Sequence, residues 1–334
     1  MRLHFVLCLI GLATATVATP QQKKIVAVGL SPAAIEELNT VTPGVRVVRV
    51  ESDRLPGEVA DADALFGTVN PRLIQAGKKL KWVQTYSAGV ESHISPELQN
   101  SGIVLTNAKI IQGPEIADHA MALLLALTRD LYLTIPKRTS QEWPRGEYRP
   151  VELNGKTAVV IGVGGIGMQI AQRASAFGME VIGVDPKDIS YTTFLKEVVP
   201  PDRLDTVLPK ADVVFVSAPL TAKSEGMMGS KQFELMKKGS YFIAVSRGRL
   251  YDSAALVKAL DSRQLAGAGL DVTNPEPLPK GHPLWNFENV LITPHIAGQS
   301  DRIGERRMEL LKENIRRFAK GETLINIVDK AEGY

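Results

Sequence analysis

Short apolar runs alternate with amphipathic stretches along most of the chain, and the runs fall into two series. The first series predicts β-strands at residues 24–30, 45–50, 64–67, 82–85 and 103–106. The second predicts β-strands at residues 157–161, 180–184, 213–217, 240–245, 265–270 and 290–293. Because the stretches between these runs have helical character, the strands need crossover connections, and the pattern predicts an α/β protein with parallel sheets.

The helical pattern is clearest in three places. Ser31-Pro32 can begin a helix, with serine as the N-cap and proline in the first turn. Residues 114–129 carry apolar side chains at helical spacing and predict a long, largely buried helix. Residues 300–319 are rich in Arg, Glu and Leu and predict an amphipathic helix. Residues 136–150 are polar and rich in Pro, Arg and Gly, which predicts an exposed connection.

Composition narrows the class of protein. The 334 residues are 44% hydrophobic and 22% charged, which is typical of a globular chain of one or two domains. Lys and Arg number 39 against 36 Asp and Glu, and their charges are scattered. Nucleic-acid binding needs a concentrated basic face, so we expect no nucleic-acid partner. The single cysteine, Cys8, excludes an intrachain disulfide and a cysteine-ligated metal site.

Residues 1–19 have the layout of a secretory signal peptide. Arg2 precedes an apolar run at 5–12, and small residues follow with candidate cleavage sites after Ala15 and Ala18. The run is too short to cross a bilayer, so we expect no membrane span. The segment predicts export to a periplasmic or other extracytoplasmic compartment. A mis-chosen start or an apolar N-terminus of a cytoplasmic protein is the alternative.

A glycine-rich turn follows the predicted strand at 157–161. It has the pattern G-x-G-x-x-G and opens a helix, and Asp185 ends the next strand eighteen positions later. Such a turn lets the backbone approach a pyrophosphate at a helix N-terminus, while the carboxylate binds a ribose 2′-hydroxyl and repels a 2′-phosphate. The sequence thus predicts NAD, with NADP less favoured; strand–helix packing alone is the alternative. The predicted contacts in the turn are Gly162, Gly164, Gly165, Ile166 and Gly167.

Three side chains that could take part in catalysis or bind an anion each follow a strand of the second series. Arg247 comes after the strand that ends at Val245, Glu276 after the strand that ends at Leu270, and His295 after residues 290–293. The carboxyl ends of parallel strands line the ligand crevice of an open sheet, so we expect these side chains to meet there. Packing alone gives no reason for an Arg, a Glu and a His at such positions.

With these motifs the chain resembles the D-isomer-specific 2-hydroxyacid dehydrogenase family. The resemblance covers residues 24 to about 328 and includes Ser87-Ala88-Gly89-Val90 and the helix at 116–120. It implies two doubly wound α/β domains, namely a flavodoxin-like substrate-binding domain (24–107 and 299–330) and a Rossmann-type NAD-binding domain (108–298). It also implies a homodimer and an active site between the domains.

The resemblance also implies roles for individual residues. His295 is the general acid/base, Glu276 its carboxylate partner, and Arg247 the cation that holds the substrate carboxylate and carbonyl. The substrate carboxylate is further held by the loop that comprises Ser87, Ala88, Gly89 and Val90, through the backbone N–H groups of the last three. On the cofactor side, Asp271 lies near the nicotinamide carboxamide, and the remaining contacts are Ala218 and Pro219.

These roles predict an oxidoreductase that transfers a hydride between NAD and C2 of a small 2-keto or 2-hydroxy acid. The carboxylate of Glu276 is expected to favour the imidazolium form of His295, which suits reduction of a keto acid. A nicotinamide-binding regulatory protein on the same scaffold is the alternative from another class, and formate or phosphite is an alternative substrate. His93, just after the substrate loop, is expected either to touch substrate or to face solvent.

Overall fold

The computed structural model describes residues 22–143, 145–146 and 148–334. The predicted signal segment, residues 1–19, lies outside the described residues. The described chain forms two α/β units, each built on one parallel sheet, as the apolar pattern predicts.

The first unit contains a five-stranded sheet in the order β2-β1-β3-β4-β5, and all its strand pairs are parallel. This is the flavodoxin-like order, which confirms the predicted fold of this unit. We call it the five-stranded unit. Its strands are β1 (Lys23–Ala27), β2 (Val45–Arg49), β3 (Ala64–Phe66), β4 (Trp82–Gln84) and β5 (Val104–Thr106).

The second unit contains a seven-stranded parallel sheet in the order β12-β11-β10-β9-β6-β7-β8. Counted from β6, six of its strands have the Rossmann order 3-2-1-4-5-6, and β12 extends that sheet. We call it the seven-stranded unit. Its strands are β6 (Thr157–Ile161), β7 (Glu180–Val184), β8 (Glu197–Val199), β9 (Val213–Val216), β10 (Ser240–Ala244), β11 (Leu265–Leu270) and β12 (Val290–Ile292). The sequence pattern missed β8, a three-residue edge strand.

The helices include the three that the pattern predicts. Ser31 caps the first helix by accepting a hydrogen bond from the backbone N–H of Ala34 (3.2 Å), and Pro32 is its first residue. The helices are α1 (Pro32–Asn39), α2 (Leu55–Glu58), α3 (Pro71–Ala76), α4 (Pro96–Gln99), α5 (Gly113–Thr128), α6 (Leu131–Thr134), α7 (Gly165–Ala176), α8 (Leu204–Val207), α9 (Ser230–Leu235), α10 (Ser253–Asp261) and α11 (Ile303–Lys320). A 3₁₀ helix (Ile135–Ser140) begins the predicted exposed connection, where Trp143 is 87% exposed.

Two helices determine how the units are joined. Helix α5 follows the five-stranded sheet but packs into the core of the seven-stranded unit, where Ile116 and Leu124 are buried near Ile170 of α7. Helix α11 follows the seven-stranded sheet but returns to the first core, where Leu311 and Ile315 are buried. The chain therefore crosses between the units twice. Among the described residues no helix is long and apolar enough to span a bilayer.

Candidate active site

A cleft of about 630 Å³ lies between the two units, and most of the predicted site residues line it. The substrate loop 87–90, part of the glycine turn, Arg247 and His295 all line it. Ala218, Pro219 and Asp271 also line it. Gly162, Gly167, Asp185 and Glu276 do not form its wall, and their contacts show what they do instead.

The glycine turn is shaped for close backbone approach. Gly162 has a φ of +87°, and a Cβ there would collide with the backbone of Ala218. A Cβ on Gly167 would collide with the carbonyl oxygen of Gly162, so these two glycines serve packing within the turn. Gly164 instead has open space where a Cβ would lie, and among the described residues no side chain caps the first turn of α7. The free amides of that turn and the open face fit the pyrophosphate of a dinucleotide.

The carboxylate of Asp185 is hydrogen-bonded to the backbone of the glycine turn. Its Oδ2 accepts a hydrogen bond from the backbone N–H of Val163 (2.8 Å), and its Oδ1 accepts one from the N–H of Lys187 (2.9 Å). The carboxylate thus lies at the end of β7 beside the glycine turn, where a ribose of a bound dinucleotide would lie. Each oxygen retains acceptor capacity for a ribose hydroxyl.

His295 and Glu276 form a hydrogen-bonded pair. His295 Nδ1 lies 2.9 Å from Glu276 Oε2, and the other carboxylate oxygen accepts a hydrogen bond from the backbone N–H of Thr273 (2.9 Å). Because Nδ1 is engaged by Glu276, Nε2 is the ring nitrogen left for a substrate in the cleft. The side chains of His295 and Glu276 are 47% and 39% exposed, so protons can exchange with solvent.

Asp271 holds the loop that carries His295. Its buried carboxylate accepts hydrogen bonds from the hydroxyl of Thr293 (2.6 Å) and from the backbone N–H groups of Ile296 and Ala297 (both 2.9 Å). His119 Nε2 lies 2.8 Å from the Thr293 hydroxyl and extends the network. Three of the acceptor positions of Asp271 are therefore used to fix the loop, a role that the sequence alone did not indicate.

Arg247 is paired across the cleft with a residue that the sequence analysis did not select. Its Nε donates a hydrogen bond to Glu91 Oε1 (2.5 Å), and its Nη1 donates one to the carbonyl of Ser246 (2.7 Å). Burial of Glu91 opposes the charged form, but the hydrogen bond and charge of Arg247 together outweigh burial and lower the pKa of Glu91. The arginine predicted to bind a carboxylate thus already holds one.

The substrate loop presents fewer free amides than expected. The N–H of Ala88 donates to the side-chain oxygen of Gln112 (3.1 Å), so this amide, predicted to hold the substrate carboxylate, is already engaged. The hydroxyl of Ser87 donates to the carbonyl of Gly89 (2.7 Å) and braces the loop. Within the described part of the chain, the N–H groups of Gly89 and Val90 have no hydrogen-bond acceptor, so they are available to a ligand.

His93 meets neither expectation for it. Its side chain is buried in the five-stranded unit, only 7% of the residue is exposed, and it does not line the cleft. Burial lowers the pKa of His93, although Val69 and Glu91 act in the opposite direction. His93 is therefore a packed residue, and its backbone N–H donates to the carbonyl of Val90 in the substrate loop (2.8 Å).

With this geometry established, comparison with known proteins decides the family. The family model for the NAD-binding domain of D-isomer specific 2-hydroxyacid dehydrogenases matches residues 121–297. The chain belongs to this family. The resemblance drawn from the sequence motifs is confirmed, and the chain is an oxidoreductase that acts on a CH–OH group with NAD or NADP.

Named relatives agree with that class. A glyoxylate reductase from Thermofilum pendens is 33% identical over 290 residues, which cover 83% of this chain and 84% of that protein. A D-3-phosphoglycerate dehydrogenase from Methanocaldococcus jannaschii is 32% identical over 302 residues, or 88% of this chain. The chain spans 56% of the length of that dehydrogenase.

The fold has close counterparts among solved structures. A D-isomer specific 2-hydroxyacid dehydrogenase from Xanthobacter autotrophicus Py2, solved in complex with NADPH and MES, is 25% identical and superposes with a TM-score of 0.81. The superposition covers 94% of this chain and 100% of that one. The two proteins therefore share the two-unit architecture over nearly the whole length of both chains.

Three features of the dehydrogenase's cleft escaped the sequence analysis. Glu91 pairs with Arg247, Gln112 binds the substrate loop, and residues 333–334 reach the cofactor side of the cleft. Glu91 directly follows the substrate loop, so its position next to a ligand-binding segment was a usable signal. The other two features depend on contacts between distant parts of the chain and left no local pattern.

Proposed function

We propose that this dehydrogenase reduces small 2-keto acids with NADH. The observation that carries the proposal is the hydrogen bond between His295 and Glu276, because His295 lines the same cleft as Arg247 and part of the glycine turn. These residues provide a proton donor, an oriented carboxylate beside it, and a cation for an anionic substrate. The glyoxylate reductase similarity supports a substrate of this size.

The proposed reaction needs one proton at the carbonyl oxygen of the substrate. Protonated His295 donates it from Nε2, while the hydrogen bond between Nδ1 and Glu276 fixes the orientation of the ring. A bound nicotinamide cofactor would supply the hydride that reduces C2. Asp271 fixes the loop on which His295 lies, so the proton donor is positioned before substrate arrives.

The substrate carboxylate is proposed to bind Arg247 together with the free N–H groups of Gly89 and Val90. A guanidinium matches a carboxylate in a planar, two-point geometry. Since Glu91 already holds Nε of Arg247, the incoming carboxylate must share or replace that partner. The same guanidinium then polarises the keto oxygen beside the carboxylate.

The preference for NADH over NADPH is proposed from Asp185. Its carboxylate lies beside the glycine turn, where a 2′-phosphate would be repelled and a 2′-hydroxyl bound. Lys187 nearby lessens the difference without reversing it. The dehydrogenase from Xanthobacter autotrophicus Py2 was solved in complex with NADPH, so the two cofactors have to be compared directly.

A screen of NADH consumption tests the proposed function. Purified protein should oxidise NADH with glyoxylate, hydroxypyruvate, pyruvate or a longer 2-keto acid, and a His295→Ala variant should lose most of that activity while it still binds NADH. No turnover with any keto acid, despite tight NADH binding, would favour the regulatory alternative. Turnover with formate or phosphite in the presence of NAD would favour those substrates instead.

Export and dimerisation belong to the proposal as well. The layout of residues 1–19 supports export, and the protein isolated from its native host should then begin near Thr16 or Thr19. An intact Met1 in the cytoplasmic fraction would contradict it. The family resemblance supports a homodimer, which sedimentation equilibrium of the purified chain would test.

A further inference from the structure

The segment that follows α11 leaves one unit and reaches the other. We define residues 327–334 as the strap. Ile327 forms a β-bridge with Thr106, and the N–H of Val328 donates to the carbonyl of Leu105 (2.9 Å). Lys330 Nζ then donates to three backbone carbonyls of the five-stranded unit, those of Leu98 (3.0 Å), Ser101 (2.7 Å) and Ile103 (3.0 Å). The start of the strap is therefore firmly attached to the five-stranded unit.

The rest of the strap forms a compact turn closed on Asp329. Its Oδ1 accepts hydrogen bonds from the N–H groups of Ala331 (2.9 Å) and Glu332 (3.1 Å). The N–H of Gly333 donates to the carbonyl of Asp329 (2.8 Å), and the N–H of Asp329 donates to the carbonyl of Tyr334 (3.1 Å). These bonds fix where Tyr334 lies relative to the attached part of the strap.

The far side of this turn contacts the seven-stranded unit at two loops. Glu332 forms an ion pair with Lys223 (2.9 Å), and Lys187 Nζ lies 4.1 Å from the centre of the Tyr334 ring. Gly333 and Tyr334 both line the cleft that contains the glycine turn. Burial raises the pKa of the Tyr334 hydroxyl, and the nearby charge of Asp185 adds to that increase.

Those two loops are the ones that flank the adenosine half of a dinucleotide in a Rossmann sheet. One follows β7 and carries Asp185 and Lys187, and the other follows β9 and contains Pro219 and Lys223. A ligand with its pyrophosphate on the glycine turn and its ribose at Asp185 extends between them. The aromatic ring of Tyr334 is therefore placed where the adenosine end of the ligand emerges.

We propose that Tyr334 is a cofactor-binding residue that covers the adenosine half of the dinucleotide, carried there by a strap attached to the five-stranded unit. The proposal rests on the proposed function only for the choice of NADH as the ligand. It also links the two ends of the active site, because the unit that holds the substrate loop then supplies one wall of the adenosine site.

The test measures binding rather than turnover. Dissociation constants of wild type, Tyr334→Ala and Tyr334→Phe are determined by titration calorimetry with NADH, ADP-ribose and nicotinamide mononucleotide. Because stacking on an aromatic ring needs the ring and not the hydroxyl, Tyr334→Ala should weaken ADP-ribose and NADH by about 5- to 50-fold, and Tyr334→Phe by little. Nicotinamide mononucleotide lacks the adenosine and should bind all three proteins equally.

Two further variants separate the strap from general surface effects. Lys330→Met removes three of the hydrogen bonds that attach the strap to the five-stranded unit and should weaken ADP-ribose binding by a smaller factor than Tyr334→Ala. Phe177→Ala changes a half-exposed aromatic residue at the opposite end of α7 and should leave ADP-ribose binding unchanged. Thermal unfolding of each variant confirms that it is folded at the titration temperature.

The outcomes are distinct from those that test the proposed function. Unchanged or tighter ADP-ribose binding by Tyr334→Ala would overturn the inference, since tighter binding would mean that the ring obstructs the site. A wild-type protein that binds neither NADH nor NADPH would overturn it too. If wild type binds ADP-ribose through Tyr334 but reduces no keto acid, the proposed function fails and the role of Tyr334 stands.

Discussion

Glu91 and Arg247 form an ion pair across the cleft, with 2.5 Å between Oε1 of Glu91 and Nε of Arg247. Glu91 belongs to the five-stranded unit and Arg247 to the seven-stranded unit, so the pair joins the two units where the substrate is proposed to bind. A carboxylate of the protein thus occupies one edge of the guanidinium that is proposed to bind the substrate carboxylate. When the substrate binds, its carboxylate must therefore displace Glu91 from Arg247 or share the guanidinium with it.

Replacing Glu91 by Gln should therefore favour substrate binding. The variant removes the competing charge and keeps the size of the side chain, so we expect KM for the keto acid to fall by about 2- to 10-fold with little change in kcat. Glu225→Gln is the matched control, because Glu225 pairs with Arg249 (2.6 Å) outside the cleft. A rise in KM would show instead that Glu91 is needed to orient Arg247.

The pH dependence of this effect has a definite sign. Arg247 outweighs the effect of burial and lowers the pKa of Glu91, so the carboxylate stays charged at neutral pH. The attraction between the units is present above the unfolded-state pKa of a glutamate, ~4.3, and is lost as the pH falls through the lowered folded-state value. The difference in KM between wild type and Glu91→Gln should accordingly persist through mildly acidic buffers and vanish only in strongly acidic ones.

The His295–Glu276 pair is tested by the kinetics of keto-acid reduction. Glu276→Gln keeps a hydrogen-bonding group beside Nδ1 of His295 but removes the carboxylate, so kcat should fall while NADH affinity changes little. His295→Ala should reduce turnover by roughly 10²–10⁴-fold with NADH affinity little changed. A Glu276→Gln enzyme with the kcat of wild type and a raised KM for the keto acid would assign Glu276 to substrate positioning instead.

Asp185→Ala should narrow the gap between NADH and NADPH. The substitution removes the charge that repels a 2′-phosphate, so kcat/KM with NADPH should approach that with NADH. It also removes the acceptor for the N–H of Val163, so affinity for both cofactors should fall together. Asp188→Ala alters a neighbouring exposed carboxylate and serves as control. Equal use of the two cofactors by the wild-type enzyme would refute the role assigned to Asp185.

Gly89→Ala should damage the site without unfolding the protein. A Cβ at Gly89 would collide with the guanidinium of Arg247, which is the flexible end of a side chain and can move aside. A displaced Arg247 should lower kcat/KM by on the order of 10- to 100-fold. Gly304→Ala, in α11 with open space around the new methyl, should leave activity unchanged and stabilise the fold by about 0.5–1 kcal/mol. Full activity in Gly89→Ala would show that Arg247 does not need its present position.

Much of this architecture follows from local sequence. The apolar runs that predict strands form β6, β7 and β11, because buried parallel strands tolerate few polar residues. Helix α1 begins where the sequence predicts it, with Ser31 as the N-cap and Pro32 as the first residue. The strand β8 (Glu197–Val199) was missed because three residues at a sheet edge have no distinctive period.

The contacts within the site were less predictable than its residues. Glu91 and Arg247 are 156 positions apart and belong to different units, so no local pattern announces their pairing. The family resemblance associated Asp271 with the cofactor, but its hydrogen bonds to the His295 loop depend on how that loop folds back. The strap contacts Lys187 and Lys223 only once the two units are packed together, so no local sequence pattern predicts these contacts.

The double crossing between units bears on the order in which the nascent chain acquires structure. The core of the five-stranded unit needs Leu311 and Ile315 of α11, so residues 22–106 cannot complete their packing until those side chains have left the ribosome. The seven-stranded unit is built from an uninterrupted segment, and it can fold while α11 is still being synthesised. During that interval the apolar side chains of β1 and β4 that pack against α11, Ile25 and Trp82 among them, remain exposed, so the early part of the chain is prone to aggregation until α11 is made.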